Sequence, residues 1–214
     1  LDHDGVPRRR YAEVAKTGEE FAKAGAELEG TQVEAKVAVI RSYEHLWSIE
    51  RQPGAPGFRY DDHCFELYRA VKRHGHSCDL VSLDADLARY AVVFAPCLNM
   101  VDEGLSAKLG QYVRAGGVLV LTPQSGTRTP TNLMTDRTRP GLLAPLAGVT
   151  VEECRSYHHG QTHEISFARG GLIAQTCTVG LWVEILQATT AEPVAEYRGE
   201  PYTGRPAITC NAVG

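Results

Sequence analysis

Short apolar runs that alternate with helical segments are the feature of this chain that most restricts its fold. Four runs have the length of a strand, at residues 36–40, 78–81, 91–95 and 118–121. Helical segments with one apolar stripe connect the first run to the second and the third to the fourth. Strand-helix-strand order at this spacing predicts a parallel sheet with right-handed crossovers. The chain is therefore expected to be an α/β protein.

Two predicted helices connect the strands of this sheet. The first covers residues 61–73, with Asp61 as its cap and Gly75 at its end. Its inner stripe is predicted to consist of Phe65, Tyr68 and Val71. The second covers residues 102–115; Asp102 opens it and a pair of glycines closes it.

A third helix is predicted ahead of the sheet, over residues 11–28. Val14 and Phe21 fall on one apolar stripe of this helix, and charged side chains occupy most of the remaining surface. Such a stripe needs a partner. We expect it to dock on another copy or on the rest of the chain, or else to leave the segment poorly ordered.

After residue 121 the sequence predicts a long loop and then a β-rich half. Residues 122–140 are rich in Thr, Pro, Arg and Gly and have little apolar periodicity. Because long loops in compact domains tend to be functional or mobile, this loop is a candidate intersubunit contact. The alternative is a disordered surface excursion. A helical turn at 142–146 is followed by predicted strands at residues 149–153, 163–168, 181–186, 194–197 and 207–210.

Charge and composition argue against several classes of partner. The net charge of -4 and the pI of about 6.1 give no basic face for nucleic acid or an anionic membrane. No run approaches the ~20 apolar residues that cross a bilayer. The six cysteines form no C-x-x-C pair, which favours small buried side chains or partly exposed thiols in a reducing cytoplasm. Phosphate-loop and dinucleotide motifs are also absent from the sequence, so no cofactor is predicted.

Several motifs, taken in order, resemble one known family. The chain begins LDHDGVPRRRY without a start methionine, which is similar to the closing segment of a glycosidase barrel. Residues 37–50 look like a strand that ends in an aromatic loop with Trp and Glu. DADL at 84–87 and AGGVLVLT at 115–122 continue the likeness. The chain thus resembles the trimerisation domain of glycoside hydrolase family 42 β-galactosidases, preceded by the last helix of the catalytic barrel.

The resemblance implies a fold and a division of the chain. The fold would be flavodoxin-like or class I glutamine amidotransferase-like: a three-layer sandwich with a largely parallel sheet and a β-rich C-terminal half. Residues 1–33 would be the last helix segment of the missing barrel, and residues 34–214 the trimerisation domain. The chain would then be an excised piece, also trimmed after Gly214.

The resemblance also implies a function that depends on the rest of the enzyme. The parent β-galactosidase would hydrolyse terminal β-D-galactosides with retention, using two glutamates about 5 Å apart. Both glutamates would lie on barrel strands before Leu1, so the chain itself would be inactive. Its role would be to form a homotrimer through the full-length protein, with the missing barrel as its other partner.

The candidate site lies at the carboxyl ends of the predicted strands. Ligands of open parallel sheets bind there, where the strand order reverses. A loop at 43–60 and turns at 96–99 and 122–126 would bring together Tyr43, Glu44, His45, Trp47, Glu50, Cys97 and Asn99. Tyr43, Trp47 and Glu50 are the predicted interface or pocket-lining residues, because aromatics give much contact area at little entropic cost. The alternative is that Trp47 fills the top of the domain's own core.

A hydrolase that acts on its own is a second hypothesis. In an amidotransferase-like enzyme, a nucleophile on a sharp strand-to-helix turn would attack glutamine or an ester. Cys97 or Ser125 would have to serve as this nucleophile. Cys97 is flanked by Pro96 and Leu98, and Ser125 lacks the G-x-S-x-G setting of a nucleophile elbow. The sequence therefore predicts no catalytic residue on this chain.

A metal site and a carbohydrate-binding module are weaker hypotheses. His158, His159 and His163 have short spacing, but adjacent residues of an extended segment point in opposite directions. No metal is therefore predicted. Trp47 and Trp182 could form a sugar-binding surface, but Trp182 lies in an apolar run that is typical of a core strand.

Overall fold

The computed structural model describes residues 3–158, 160–167 and 176–214, and the chain divides into two compact units, Leu1–Glu34 and Ala35–Gly214. Helix α1 (Arg9–Leu28) makes up most of the first unit. No residue of α1 is buried, and Val14 and Phe21 are 72% and 68% exposed. The predicted helix is confirmed, and its apolar stripe is open in the described part of the chain.

A four-stranded parallel sheet forms the centre of the second unit. Its strands, in chain order, are β1 (Val37–Ile40), β2 (Cys78–Val81), β3 (Val92–Ala95) and β4 (Val118–Leu121). Their spatial order is β2-β1-β3-β4, and all neighbouring pairs are parallel. The order reverses between β1 and β3, which is the doubly wound arrangement that the sequence predicts.

Helices cover both faces of this sheet. They are α2 (Tyr43–Arg51), α3 (Tyr60–Arg73) and α4 (Glu103–Arg114). Successive side chains of a strand point to opposite faces. Ala38 of β1 accordingly joins one core with Leu109 of α4, whereas Val39 joins the other with Ile49 of α2 and Cys64 of α3. The three-layer α/β architecture is therefore confirmed.

The C-terminal half is mainly antiparallel. A 3-10 turn (Gly141–Leu143) and helix α5 (Ala144–Ala147) lead into it. Its strands are β5 (Val149–Ser156), β6 (Thr162–Phe167), β7 (Thr176–Gly180), β8 (Trp182–Ala188), β9 (Glu192–Arg198) and β10 (Pro206–Cys210). They pair as β5-β8 and as β10-β9-β6-β7. The five predicted strands are confirmed and β7 was missed; Ala168, the predicted end of one strand, lies outside the described residues.

The segment after β1 is a helix, so the prediction of a loop over residues 43–60 is wrong for its first half. The Oγ atom of Ser42 accepts a hydrogen bond from the backbone N–H of His45 at 3.4 Å and caps α2. Ile49 packs with Val39 of β1, and His45 is buried as well. The aromatic residues therefore lie on a regular helix.

Helix α3 also differs in detail from its prediction. It begins at Tyr60, and its N-cap residue, Arg59, makes no side-chain capping bond. Asp61 is therefore not the cap; its carboxylate binds Arg41 instead. Phe65 is 55% exposed, and Cys64 takes the buried position on this helix. The predicted inner stripe was shifted by one residue at this turn.

Candidate functional site

One face of α2 carries the three residues that the sequence predicts for an interface. Tyr43, Trp47 and Glu50 have the spacing i, i+4, i+7, which places them on one side of a helix. Tyr43 and Trp47 are 57% and 59% exposed, and Glu50 is exposed too. We call these three residues the α2 stripe. The alternative that Trp47 fills the domain's own core is wrong, since Ile49 does so from this helix.

The two aromatic rings of the α2 stripe contact each other. Their centroids are 5.8 Å apart and their planes are inclined by 35°. The guanidinium carbon of Arg41 lies 4.2 Å from the centroid of the Tyr43 ring, a cation–π distance. Large rings with an adjacent arginine are the residue types that dominate the binding energy of protein interfaces.

The first turn of α2 is fixed by charge and hydrogen bonding. The Ser42 hydroxyl donates to Oε2 of Glu44 at 2.5 Å. This bond lowers the pKa of the Glu44 carboxyl below its usual value. A carboxylate in the first turn also interacts favourably with the helix dipole. Tyr43 therefore starts from a well-defined helix terminus.

A buried polar network attaches the loop at residues 122–140 to the opposite side of α2. The Asn99 amide donates to Oγ of Ser48 at 2.7 Å, and Ser48 donates to Oδ1 of Asn132 at 2.6 Å. Ser48 and Asn99 are 4% and 2% exposed. The backbone N–H of Arg128 also donates to the Asn99 carbonyl at 2.8 Å. The loop is thus held by specific bonds and is not a disordered excursion.

The tip of this loop adds apolar surface beside α2. Leu133 and Met134 follow Asn132 directly and are 67% and 58% exposed. Arg128 donates to Oε1 of Gln52 at the end of α2, so a second hydrogen bond holds the loop against this helix. The α2 stripe and the loop tip thus both present exposed apolar side chains near the carboxyl ends of the parallel strands.

Cys97 is sealed inside the domain. It is 2% exposed, and burial raises the pKa of its thiol to about 12. Its backbone has a φ of 43°, a left-handed value that non-glycine residues adopt mainly at strained turns. The Thr122 hydroxyl lies 3.8 Å from Sγ and 3.1 Å from Nε2 of His63. A buried, protonated thiol is a poor nucleophile, so this geometry does not favour the hydrolase hypothesis.

Ser125 is no better placed for nucleophilic attack. It is 6% exposed, and its hydroxyl donates to the Thr122 carbonyl at 2.7 Å. That bond satisfies the hydroxyl hydrogen within the turn after β4. A catalytic serine needs a general base as the acceptor of this hydrogen.

His45 is a buried imidazole at the wall of an open cavity of about 450 Å³. It is 1% exposed, and neither ring nitrogen has a hydrogen-bond partner within the described residues. Burial lowers the pKa of His45 to about 4, against the opposing influence of the Asn99 side chain and Glu44. The ring is therefore neutral near pH 7.

The histidines of the β-rich half do not form a metal site in the described residues. His163 packs among the rings of Tyr157, Tyr197 and Tyr202, with centroids 5.5–6.0 Å away. The backbone N–H of His158 donates to the side chain of Gln161. His159 lies outside the described residues.

Trp182 is half-buried, and its position does not suit a sugar-binding platform. Its indole N–H donates to Oε1 of Glu184 at 3.2 Å, and a Cβ on Gly54 would lie 2.5 Å from its ring. The indole therefore packs closely on the α2–α3 connection.

In the described ranges no helix is both long and apolar enough to cross a membrane.

The sequence did not indicate Arg41, Asp61, Ser48 or Asn132 as parts of the site. Arg41 directly follows a buried strand, and this position at a strand end is the signal that could have identified it. Ser48 lies between two apolar positions of α2, where a polar residue on the inner side indicates a buried partner. No comparable signal marks Asn132, because its partner is 84 residues away along the chain.

The fold and the site define a class of protein. It is a doubly wound α/β domain in which the candidate nucleophiles Cys97 and Ser125 are buried. The helix after the first strand presents exposed aromatic side chains. A family model described as the beta-galactosidase trimerisation domain matches residues 35–214. The chain therefore belongs to the trimerisation-domain family of glycoside hydrolase family 42 β-galactosidases.

Curated relatives match along almost the whole chain. The β-galactosidase of Halorubrum lacusprofundi is 36% identical over 221 residues, which covers 99% of this chain and 31% of the relative. The β-galactosidase BgaP of Planococcus sp. is 33% identical over 218 residues, covering 100% of this chain and 32% of the relative. The chain thus spans about a third of the length of these relatives.

Solved structures of β-galactosidases share the fold. The enzyme from Bacillus circulans sp. alkalophilus superposes with a TM-score of 0.90 at 31% identity, over 99% of this chain and 32% of that chain. The cold-adapted enzyme from Rahnella sp. R3 gives a TM-score of 0.87 at 32% identity, over 99% of this chain and 32% of that chain.

Proposed function

We propose that this chain is part of a homotrimeric β-galactosidase and that its second unit holds the three subunits together. The carrying observation is the exposed aromatic pair Tyr43–Trp47 in a chain whose family is a trimerisation domain. Residues 34–214 form this assembly domain in the proposal. Residues 1–33 form the last helix segment of the catalytic barrel, whose surface would cover Val14 and Phe21.

The catalytic step belongs to the rest of the enzyme in this proposal. The parent protein hydrolyses terminal β-D-galactosides with retention, through two glutamates on barrel strands outside this chain. In this proposal none of the described residues supplies a catalytic group or a cofactor or metal site. We propose neither nucleic acid nor a membrane as partner, because the chain has a pI of about 6.1 and a net charge of -4. The proposed cytoplasmic location is supported by the six widely spaced cysteines, which include no C-x-x-C pair.

The α2 stripe and the loop tip are the proposed contact with the neighbouring subunit. A stable interface buries upwards of ~1,000 Å² in total, so these residues form only the centre of a larger contact. Tyr43 and Trp47 would supply most of the binding energy there, and Glu50 would lie at the polar rim. Leu133 and Met134, on the loop that is attached to the other side of α2, add further exposed apolar side chains.

The test uses the complete protein that contains this chain. Replacing Trp47 by Ala removes a central aromatic and should raise the trimer dissociation constant about tenfold or more. Sedimentation velocity over a dilution series measures this constant. Phe65→Ala is the matched control, because Phe65 is a similarly exposed aromatic on α3 and is not one of the proposed contact residues.

Two outcomes would contradict the proposed contact. One is Trp47→Ala protein with the dissociation constant of the unsubstituted protein. The other is an equal loss of association in Phe65→Ala. A complete protein that fails to cleave a chromogenic β-galactoside would contradict the proposed activity separately.

A further inference from the structure

Arg41 connects helix α3 to the α2 stripe. It follows β1 directly, and its backbone N–H donates to the carbonyl of Val81 at the end of β2 at 2.9 Å. Its Nε and Nη2 atoms donate to the two carboxylate oxygens of Asp61 at 2.9 and 3.3 Å. This two-point bond holds the planar guanidinium in one orientation.

The held guanidinium lies against the exposed aromatic pair. Its central carbon is 4.2 Å from the Tyr43 ring centroid, and the Tyr43 ring is 5.8 Å from that of Trp47. A continuous column therefore runs from Asp61 through Arg41 and Tyr43 to Trp47. The side chain of Arg41 is 25% exposed, whereas the two rings are more than half exposed.

We propose that Arg41, oriented by Asp61, is a positioning residue that fixes the Tyr43–Trp47 pair in the geometry that a second copy of this chain's parent protein binds. This inference rests on the proposed function. Exposed rings otherwise populate several rotamers, and binding must then order them at an entropic cost. Because Tyr43 and Trp47 are more than half exposed, the contact with Arg41 supplies order that the domain's core does not.

The planar fork of Arg41 is essential to this role. A lysine would keep the charge but could neither form the two parallel N–H bonds of a planar fork to Asp61 nor lie flat on the Tyr43 ring. The ordering effect should therefore be lost in Arg41→Lys as well as in Arg41→Met. A purely structural ion pair would behave differently, since it would change the stability of the domain and leave the association of folded subunits unaltered.

The test measures trimer dissociation constants of the complete protein by sedimentation velocity. Arg41→Met, Arg41→Lys and Asp61→Asn should each raise the constant about three- to tenfold, the size expected for losing the order of one or two side chains. Combined with Tyr43→Ala, Arg41→Met should add no further effect, because Arg41 acts on the aromatic pair through the Tyr43 ring.

The matched control is Arg89→Met. Arg89 is also paired with an aspartate, Asp79, at 3.7 Å, and its guanidinium carbon lies 5.2 Å from the Tyr90 ring centroid. Tyr90 is buried, so this pair presents no exposed aromatic. We expect Arg89→Met to leave the dissociation constant unchanged.

The outcomes separate this inference from the proposed function. A weakened trimer in Trp47→Ala with unchanged association in Arg41→Met and Asp61→Asn overturns the positioning role alone. An additive effect of Arg41→Met in the Tyr43→Ala background also overturns it, since Arg41 would then act independently of the ring that it contacts. Unchanged association in Trp47→Ala overturns the interface, and the positioning role with it.

Discussion

The cysteines differ strongly in their surroundings. Burial raises the pKa of Cys64 and Cys154 to about 11 and that of Cys97 to about 12. Cys177 and Cys210 are exposed. Since the thiolate is the reactive form, each unit of pKa elevation lowers the reactive fraction about tenfold. The structure therefore orders the thiols by reactivity.

We expect iodoacetamide at pH 8 to label Cys177 and Cys210 well before Cys64 and Cys97. Peptide mass spectrometry at successive times measures the order. Addition of urea should make the labelling rates converge, which serves as the control for accessibility. Labelling of Cys97 ahead of the exposed thiols would contradict the sealed geometry and revive the hydrolase hypothesis.

His45 makes the stability of the domain dependent on pH. Its pKa is about 4 in the folded protein, against 6.5 without burial. Between these values the unfolded chain binds a proton that the folded chain does not, so stability is lost as pH falls. We expect about 1–2 kcal/mol less unfolding free energy at pH 5 than at pH 7 from this group.

Urea unfolding at the two pH values tests this dependence. His45→Gln should remove much of the loss, although His63, whose pKa burial also lowers, contributes in the same direction. His76→Gln, at an exposed position, should retain the full loss. Equal pH dependence in His45→Gln and the unsubstituted protein would contradict the assignment.

At the scale of elements, the N-terminus of α4 depends on one side chain. The Leu105 N–H donates to Oδ1 of Asp102 at 2.7 Å. We expect Asp102→Ala to lower the unfolding free energy by about 0.5–2 kcal/mol. Arg59→Ala is the matched control, because Arg59 occupies the same position of α3 without a capping bond. Equal losses in the two variants would show that capping is not the cause.

The strands of the parallel sheet were predictable because each is a short apolar run between turn residues. All four were placed within one residue of their observed bounds. Helix α2 was not predicted, although Ser42 and Glu44 are typical of a helix start. The prediction of a loop came from the family resemblance, which implies a strand that ends in an aromatic loop at these residues.

The candidate site was predictable only in part. Tyr43, Trp47 and Glu50 were identified from their residue types, and their role as a contact stays a prediction. The contacts that hold them depend on distant pairings, as between Arg41 and Asp61 or Ser48 and Asn132. Periodicity reports which face of an element is apolar, and it does not report which polar residues meet across elements.

At the scale of the second unit, one carboxylate joins the parallel and antiparallel halves. Oε1 of Glu184 on β8 accepts bonds from the Gln124 backbone N–H at 2.8 Å and from the indole N–H of Trp182 at 3.2 Å. Gln124 follows β4 of the parallel sheet. Burial raises the pKa of Glu184, and these bonds oppose that shift.

We expect Glu184→Ala to lower the unfolding free energy by about 1–3 kcal/mol, because it leaves the Gln124 N–H without its acceptor. Glu184→Gln keeps an acceptor oxygen and should lose less. Urea unfolding followed by tryptophan fluorescence and by far-ultraviolet circular dichroism measures both. Glu164→Ala, at an exposed position of β6, is the control. A loss no larger than that of Glu164→Ala would contradict a joining role for Glu184.

The position of this joint along the chain has a consequence for biosynthesis. All four parallel strands come from residues 37–121, whereas Glu184 is translated 60 residues after Gln124. Segments fold as they leave the ribosome, so the parallel sheet can form before Glu184 is available to accept the bond from the Gln124 N–H. Until β8 emerges, the turn after β4 stays open to chaperones and proteases. We therefore expect a pause in translation between these points to lower the yield of native protein.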